Sequence, residues 1–555
     1  MNDETKSPDQ NGESRSRWWV WLLAAISLCA SISLYGFAVR YGAVNQDEGW
    51  YLYASRMVAE GKQLYRDFFF TQGPLLPHFY AAFQSLWSPH GLLGGRIFTA
   101  ALGIAGCLLT ALLAAAAAKK SGRWQAAVTA FALTGCNLYH VYFTTLPKTY
   151  ALGALTLTAG FLLLPRCCPG GKRPKSQLPA MWAAPAGFLI ALSAGARLSL
   201  GLLLPVTTIM LLIHLRSARA SFFWFAVGGA LGLAAVFGPP LLNAPEQFMF
   251  AQTFHSSRGG HDPFLIAGSL SRLVRFYLPL AAAVFAVPCL RLFRAYGGDT
   301  DDAESSPTLW PQIWFFGAAA VFLLQLFSPH PYDDYQVPVI GLFAATFAVW
   351  LVNIFESSGA RNRAMTICAI SALLCAFGCP LAQDWFITKI DRFWAVKKSM
   401  PDLEQLHNAA MEIKELSGDC DTLLTQDLYI AVEAGMKVPH GLEMGPFSCF
   451  PGLSNADAKK FHVLNRAGLL ELLASAPTQV AAYSGYGWAI SSPVMERMSD
   501  SDRQRFLSVL SRNYDFIRET PDFGQHQTTL VLMSRRHPVA APAQPAPAST
   551  PEKNQ

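Results

Sequence analysis

The sequence predicts a polytopic α-helical membrane protein with about eleven spans, followed by a small C-terminal α/β soluble domain. Three observations lead there. Of the 555 residues, 52% are hydrophobic and only 14% charged, against about a quarter charged in soluble domains. Apolar stretches of about 17–25 residues, long enough to cross a hydrocarbon core of about 30 Å, recur between residues 18 and 381. The arginines and lysines between these stretches collect on alternate loops, as they do on the cytoplasmic side of membrane proteins. The alternating strands of a transmembrane barrel are missing. A net charge of +6 orients loops rather than marking a nucleic-acid partner, so none is expected.

Taken in order, residues 1–17 form a polar tail ending in Arg15 and Arg17, expected in the cytoplasm. Trp18 to Val39 is too long for a signal-peptide core and has no small-residue cleavage site, so it reads as a retained first span. It opens a transmembrane domain over residues 18–383. The basic sets Lys119/Lys120/Arg123, Arg166/Lys172/Arg173/Lys175, Arg216/Arg219, Arg291/Arg294 and Arg361/Arg363 are all placed inside. The apolar block between successive sets must then cross an even number of times. Residues 124–164 as one helix would measure about 60 Å, twice the bilayer, so the chain breaks at Leu146-Pro147-Lys148. Residues 179–215 break at Gly195-Ala196-Arg197, and residues 222–290 break in a polar loop holding His255, Arg258, His261 and Asp262. Residues 312–354 break between Ser328 and Tyr335. A last span near 364–381 puts a domain of residues 384–537 on the non-cytoplasmic side, before a Pro/Ala-rich tail, 538–555, of disordered composition.

These breaks, a large first outer loop (40–92) and the C-terminal domain all fall on one face. The loop has structure of its own. Asp47 is placed to cap a helix that runs to Glu60 and stops at Gly61. Trp50, Tyr53, Ala54 and Met57 share one stripe of it, which suits a helix lying flat in the membrane interface. Phe79 to Trp87 reads as a second interfacial helix. In the C-terminal domain, Pro401 to Leu416 has helical period, and Asp421–Thr425, Gln479–Tyr483 and Thr528–Met533 are β-prone. Cys420 and Cys449 can pair there if the domain is exported.

Phosphate-loop, dinucleotide, zinc-protease, Cys-x-x-Cys and nucleophile-elbow motifs are missing, which removes support for an ATP-driven pump or a zinc protease. The candidates for chemistry are polar residues of the outer face. Asp47 suits a general base near the membrane surface, where low dielectric raises a carboxyl pKa; equally, it is a helix cap with Glu48 favouring the helix N-terminus. Lys148 is either an interfacial snorkelling lysine or a phosphate ligand. Arg197, at the apex of a tight apolar hairpin, is costly unless it faces a polar site or a paired acid. His255 and Arg258 can bind phosphate or acceptor. His330, Asp333 and Asp334 can contact the acceptor, and the two acids offer an incomplete ligand set for a divalent cation.

The run D-E-x-x-Y-x-x-x-A after the first span, a Gly-containing turn, and then Y-R-D-F-F-F-x-x-G-P-L, together residues 44–90, resembles bacterial membrane glycosyltransferases of family 39. That superfamily includes protein O-mannosyltransferases, the aminoarabinose transferase for lipid A and lipopolysaccharide-core galacturonosyltransferases. The loop His330-Pro331-Tyr332-Asp333-Asp334-Tyr335 is similar to theirs as well. The resemblance implies the GT-C fold and a multi-pass protein of the bacterial inner membrane. It implies a sugar donor on a polyprenyl phosphate and a glycolipid, glycan or protein acceptor at the periplasmic face. It puts Asp47 on the family's catalytic aspartate and Glu48 on its companion acid. Where many members carry E-K-P-P-L, this chain has Thr71-Gln72-Gly73-Pro74-Leu75, and Gln72 supplies no positive charge for a phosphate. Many members also carry an aspartate after the third span, where this chain has Lys148; Lys148 is then a candidate, with Arg197, for the donor phosphate. The rival readings are a lipid-linked sugar flippase and a polysaccharide polymerase or ligase. A flippase calls for charges near the midplane and for related halves, neither of which is found here.

Overall fold

The computed structural model describes residues 9–167, 179–214, 219–256, 262–296, 309–378, 400–485, 487–488, 498–525 and 527–536. It divides into two compact units, Met1–Glu404 and Gln405–Gln555.

In the first unit, α1 (Asp9–Tyr41) leads through α2 (Gln46–Ala59), α3 (Leu75–Ala82) and α4 (Gln84–Trp87) to α5 (Gly91–Ala117). Then come α6 (Arg123–Gly135), α7 (Leu138–Phe143), α8 (Thr149–Cys167), α9 (Ala183–Ala196), α10 (Leu203–His214) and α11 (Arg219–Asn243). The unit continues with α12 (Pro245–Ser256), α13 (Pro263–Phe276), α14 (Leu278–Tyr296), α15 (Leu309–Leu326), α16 (Val337–Ile354) and α17 (Ser358–Gly378). Helices stand at every expected span position: α1, α5, α6, α8, α9, α10, α11, α14, α15, α16 and α17. Among the described residues, 6 helical stretches are long and apolar enough to cross a membrane, and the pair α13–α14, bent by 92°, makes a seventh. The shorter α6, α9 and α10 are each extended by a second helical piece: α7, and the 3₁₀ turns Ala180–Trp182 and Leu198–Leu202. A polytopic helical membrane protein is therefore what the chain builds.

The core follows from composition. Helix α16 is apolar on every face and almost wholly buried, as a central helix must be. It packs against α5, α6, α8, α14 and α15. Helices α9 and α11 lie almost backbone to backbone: a methyl at Gly228 would stand 1.9 Å from the Ala184 carbonyl oxygen. Such contacts between small residues stabilise helix pairs where lipid removes the hydrophobic drive.

The breaks fall where the sequence puts them. Pro147 separates α7 from α8, Arg197 follows the last turn of α9, and residues 327–332 separate α15 from the 3₁₀ turn Asp333–Gln336. Two expectations for the first outer loop are corrected. Asn45, not Asp47, caps α2: its side chain accepts from the Asp47 amide, and Glu48 closes the capping box by accepting from the Asn45 amide. Nor does α2 lie flat with one apolar stripe in lipid. Trp50, Tyr51, Leu52, Tyr53 and Ala54 are all buried in protein, because Phe70 and the Tyr65 loop fold over the helix. Its end matches expectation, with Gly61 at φ +90° just beyond it. The second loop helix is broken at Phe83 into α3 and α4.

The expected helix at the start of the C-terminal part forms as Asp402–Ser417. Three antiparallel strands, β1 (Val480–Tyr483), β2 (Tyr514–Phe523) and β3 (Thr528–Arg535), pair in the order β1-β3-β2. The stretch Asp421–Thr425 contributes only isolated bridges, Thr422 to Lys437 and Leu424 to Ala481. Strand β2 escapes the sequence reading because it is charged and contains Pro521; as an edge strand with register shifts it tolerates both. Cys420 and Cys449 are free thiols, not a disulfide.

Candidate active site

The site forms at one end of the helical unit, where α2, α8, α9 and the 3₁₀ turn before α16 meet. The Pro147 break ends one helical piece, and α8 starts at Thr149, so Lys148 projects from the junction. Its ammonium lies 2.8 Å from Asp47 Oδ2 and 3.3 Å from Asp334 Oδ2. Burial works against the charge on Lys148, but Asp47, then Tyr150 and Asp334, outweigh it and hold its pKa well above the ordinary lysine range. Asp47 is the open member, with its side chain 28% exposed against 8% for Lys148 and 15% for Asp334. The Trp50 indole N–H donates to the other Asp47 oxygen at 3.2 Å. The Tyr150 hydroxyl donates to Asp334 at 2.6 Å. Asp333 turns the other way and takes Arg272 at 3.0 Å and the Tyr139 hydroxyl at 2.8 Å.

Arg197 closes the site from α9. Its backbone is extended after the last helical turn, and its guanidinium lies 3.8 Å from the Tyr335 ring centre and 5.4 Å from that of Tyr150. Its Nε is buried and has no hydrogen-bond partner. Lys148 lies 5.2 Å from the same Tyr150 ring, so both cations rest near one phenol. A cation resting on aromatic faces is partly stabilised yet keeps its N–H donors for an anion. The hairpin is seated by the first loop: a methyl at Gly73 would stand 2.2 Å from the Gly195 carbonyl oxygen. The Gly-Pro turn and the Arg197 hairpin therefore touch through backbone.

Glu48, next to Asp47 in sequence, points away from this cluster. It is fully buried and pairs in a two-pronged fashion with Arg96 of α5, both contacts at 2.6 Å. Arg96 also donates to the carbonyls of Gly42 and Ala43, tying the end of α1 to the start of α2. Gln72 is half-buried, and its carbonyl accepts from the Tyr65 hydroxyl. His330 is half-buried and stacks on Tyr332. The side chain of His255, and Arg258 and His261 entirely, lie outside the described residues.

Sequence reasoning missed Arg96, Tyr139, Tyr150 and Arg272. An arginine inside an apolar span was the available signal for Arg96; the others reveal themselves only through their partners. The acidic pair does not fit a metal ion. Asp333 and Asp334 are each committed to a cation and a phenol, and among the described residues no three His, Cys, Asp or Glu side chains gather to hold one.

A multi-pass helical protein with an acid–lysine–acid cluster and an arginine at one end defines a class by its architecture. Solved structures show which architecture it is. The chain has the fold of ArnT from Cupriavidus metallidurans, bound to undecaprenyl phosphate: TM-score 0.56 and 12% identity, over 93% of this chain and 98% of that one. The apo form of the same protein matches with TM-score 0.54 and 13% identity, with the same coverage. The GT-C fold implied by the sequence resemblance is thus the fold observed. No protein-family model and no curated protein matches the chain in sequence.

Proposed function

We propose that the chain is a membrane glycosyltransferase of the bacterial inner membrane, with its N-terminus cytoplasmic and its site at the periplasmic face. It moves a sugar from a polyprenyl-phosphate donor to a hydroxyl of a glycolipid, glycan or protein acceptor. The observation that carries this reading is the convergence, from four separate segments, of Asp47, Lys148, Asp334 and Arg197, with a buried arginine N–H still unpaired. The shared fold with a protein crystallised with undecaprenyl phosphate supports it.

In this reading Asp47, the most open of the acids, takes the proton from the acceptor hydroxyl. The hydroxyl oxygen attacks the anomeric carbon from the side opposite the phosphate, the carbon–oxygen bond to phosphate breaks, and the configuration inverts. The departing phosphate keeps the bonding pair, and its charge is stabilised by Lys148 and Arg197, fixed in place before the reaction. Glu48 supports the reaction indirectly, by holding α2 and hence Asp47. Gln72, His330, Asp333 and His255 stay candidates for sugar or acceptor contacts, and Arg258 for the donor phosphate.

The test is Asp47→Asn. It keeps the shape of the side chain and can still accept from Trp50, and Asp334 stays beside Lys148, so the variant should still insert and fold with only a modest loss of melting temperature. Sugar transfer from a polyprenyl-phosphate donor should fall by about 10²-fold or more. Undiminished transfer by the purified variant would overturn the assignment.

A further inference from the structure

The proposed function asks Lys148 and Arg197 to hold one phosphate, yet the site commits a second carboxylate, Asp334, to Lys148. Asp47 has a task in proton transfer, whereas Asp334 has none. Its partners are Lys148 and Tyr150, and the neighbouring Asp333 is already balanced by Arg272. Within the cluster two cations, Lys148 and Arg197, face two anions, Asp47 and Asp334, so the formal charge is zero.

That balance matters because the two lipid phosphates the site must handle differ in charge. A sugar phosphodiester carries a single negative charge. The polyprenyl monoester left after transfer carries about 1.5 to 2 at pH 7. A site with surplus positive charge would hold the spent carrier more tightly than the donor. From this geometry, and resting on the donor-phosphate reading above, we infer that Asp334 is a specificity-determining counter-charge: it disfavours the spent polyprenyl monoester relative to the phosphodiester donor, so that the carrier leaves after transfer. Asp334 acts through Lys148 and is a positioning residue, not a catalytic one.

A purely structural role for Asp334 makes a different prediction, and Asp334→Asn separates the two. The amide oxygen can still accept from Lys148 and Tyr150, so shape and hydrogen bonds are kept while the charge is lost. The experiment measures, on the purified full-length protein, the affinity for polyprenyl phosphate and for its methyl phosphodiester. Asp334→Asn should tighten the monoester about tenfold while changing the diester about threefold or less, the scale expected for removing one nearby like charge. Asp334→Glu should restore the wild-type ratio of the two affinities. Asp334→Ser removes the same charge in a smaller side chain and should shift the ratio in the same direction if the asparagine variant fails to fold. An unchanged ratio in the charge-removing variants overturns the inference, whatever happens to turnover. If wild type binds both lipids and Arg197→Gln weakens both while the ratio ignores Asp334, the inference fails and the donor-phosphate reading stands. If wild type binds neither lipid, the reading itself fails and the inference with it.

Discussion

Asp47 and Glu48 share a peptide bond but not an environment. Asp47 is more than a quarter exposed and faces a lysine, whereas Glu48 is sealed against Arg96. Removing one partner of a buried ion pair leaves the other charge uncompensated, which costs about 3–5 kcal/mol. Glu48→Gln is therefore expected to lower the melting temperature and the yield of folded protein more than Asp47→Asn does, because Lys148 keeps Asp334 as a partner; comparing the two in thermal unfolding separates a structural acid from a reacting one. Lys148 makes a prediction about pH. Its pKa is raised in the folded protein, so its ion pairs contribute fully below the unfolded lysine value of about 10.4 and fade only as pH rises through the higher folded value. The stability difference between wild type and Lys148→Met should accordingly stay flat between pH 7 and 9, and a difference that shrinks across that window would contradict the assignment. The same variant should lose at least about a hundredfold in transfer, since it removes a preorganised cation from the leaving phosphate.

At the level of elements, the site depends on how closely two loops approach. The Gly73-Pro74 turn packs its backbone on Gly195 and Ala196, the residues just before Arg197. Gly73→Ala would drive a methyl into the Gly195 carbonyl, and neither backbone can yield without moving the Arg197 hairpin. Activity should drop sharply in this variant with the Asp47–Lys148 pair still present, and the affinity for polyprenyl phosphate should drop with it. A fully active Gly73→Ala protein would show that the hairpin position does not matter. The sequence announces this turn by its Gly-Pro pair, but not what it packs against, because Gly195 lies more than a hundred residues away. Helix α2 carries the same lesson: a stripe of aromatics reads as an interfacial face, and only the return of Tyr65 and Phe70 over it shows that it is core.

For the whole molecule, the prediction concerns sidedness. Gln63 and Lys119 are both exposed, but Gln63 lies in the first outer loop and Lys119 on the next basic loop. On a background without other reactive thiols, cysteine at Gln63 should react with a membrane-impermeant maleimide in intact spheroplasts, and cysteine at Lys119 only after permeabilisation. The opposite pattern would invert the topology. Lys119, Gln125 and Arg361 bond with Asn353, Asn362 and Ser121 at one set of helix ends, while Asp47, Lys148 and Asp334 meet at the other.

By itself the sequence determined that the chain is a polytopic helical membrane protein, where the breaks at Pro147, Arg197 and residues 327–332 fall, and the candidacy of Asp47, Lys148 and Arg197. These are local properties, set by apolar length, proline, glycine and loop charge. Only the tertiary structure decided which acid is open and which is buried, that one lysine is shared by Asp47 and Asp334, and that Arg96, Tyr139, Tyr150 and Arg272 belong to the same networks. Those facts are pairings between residues up to almost two hundred positions apart, and electrostatics inside a protein is decided by what a charge meets in space, not by its neighbours in the chain.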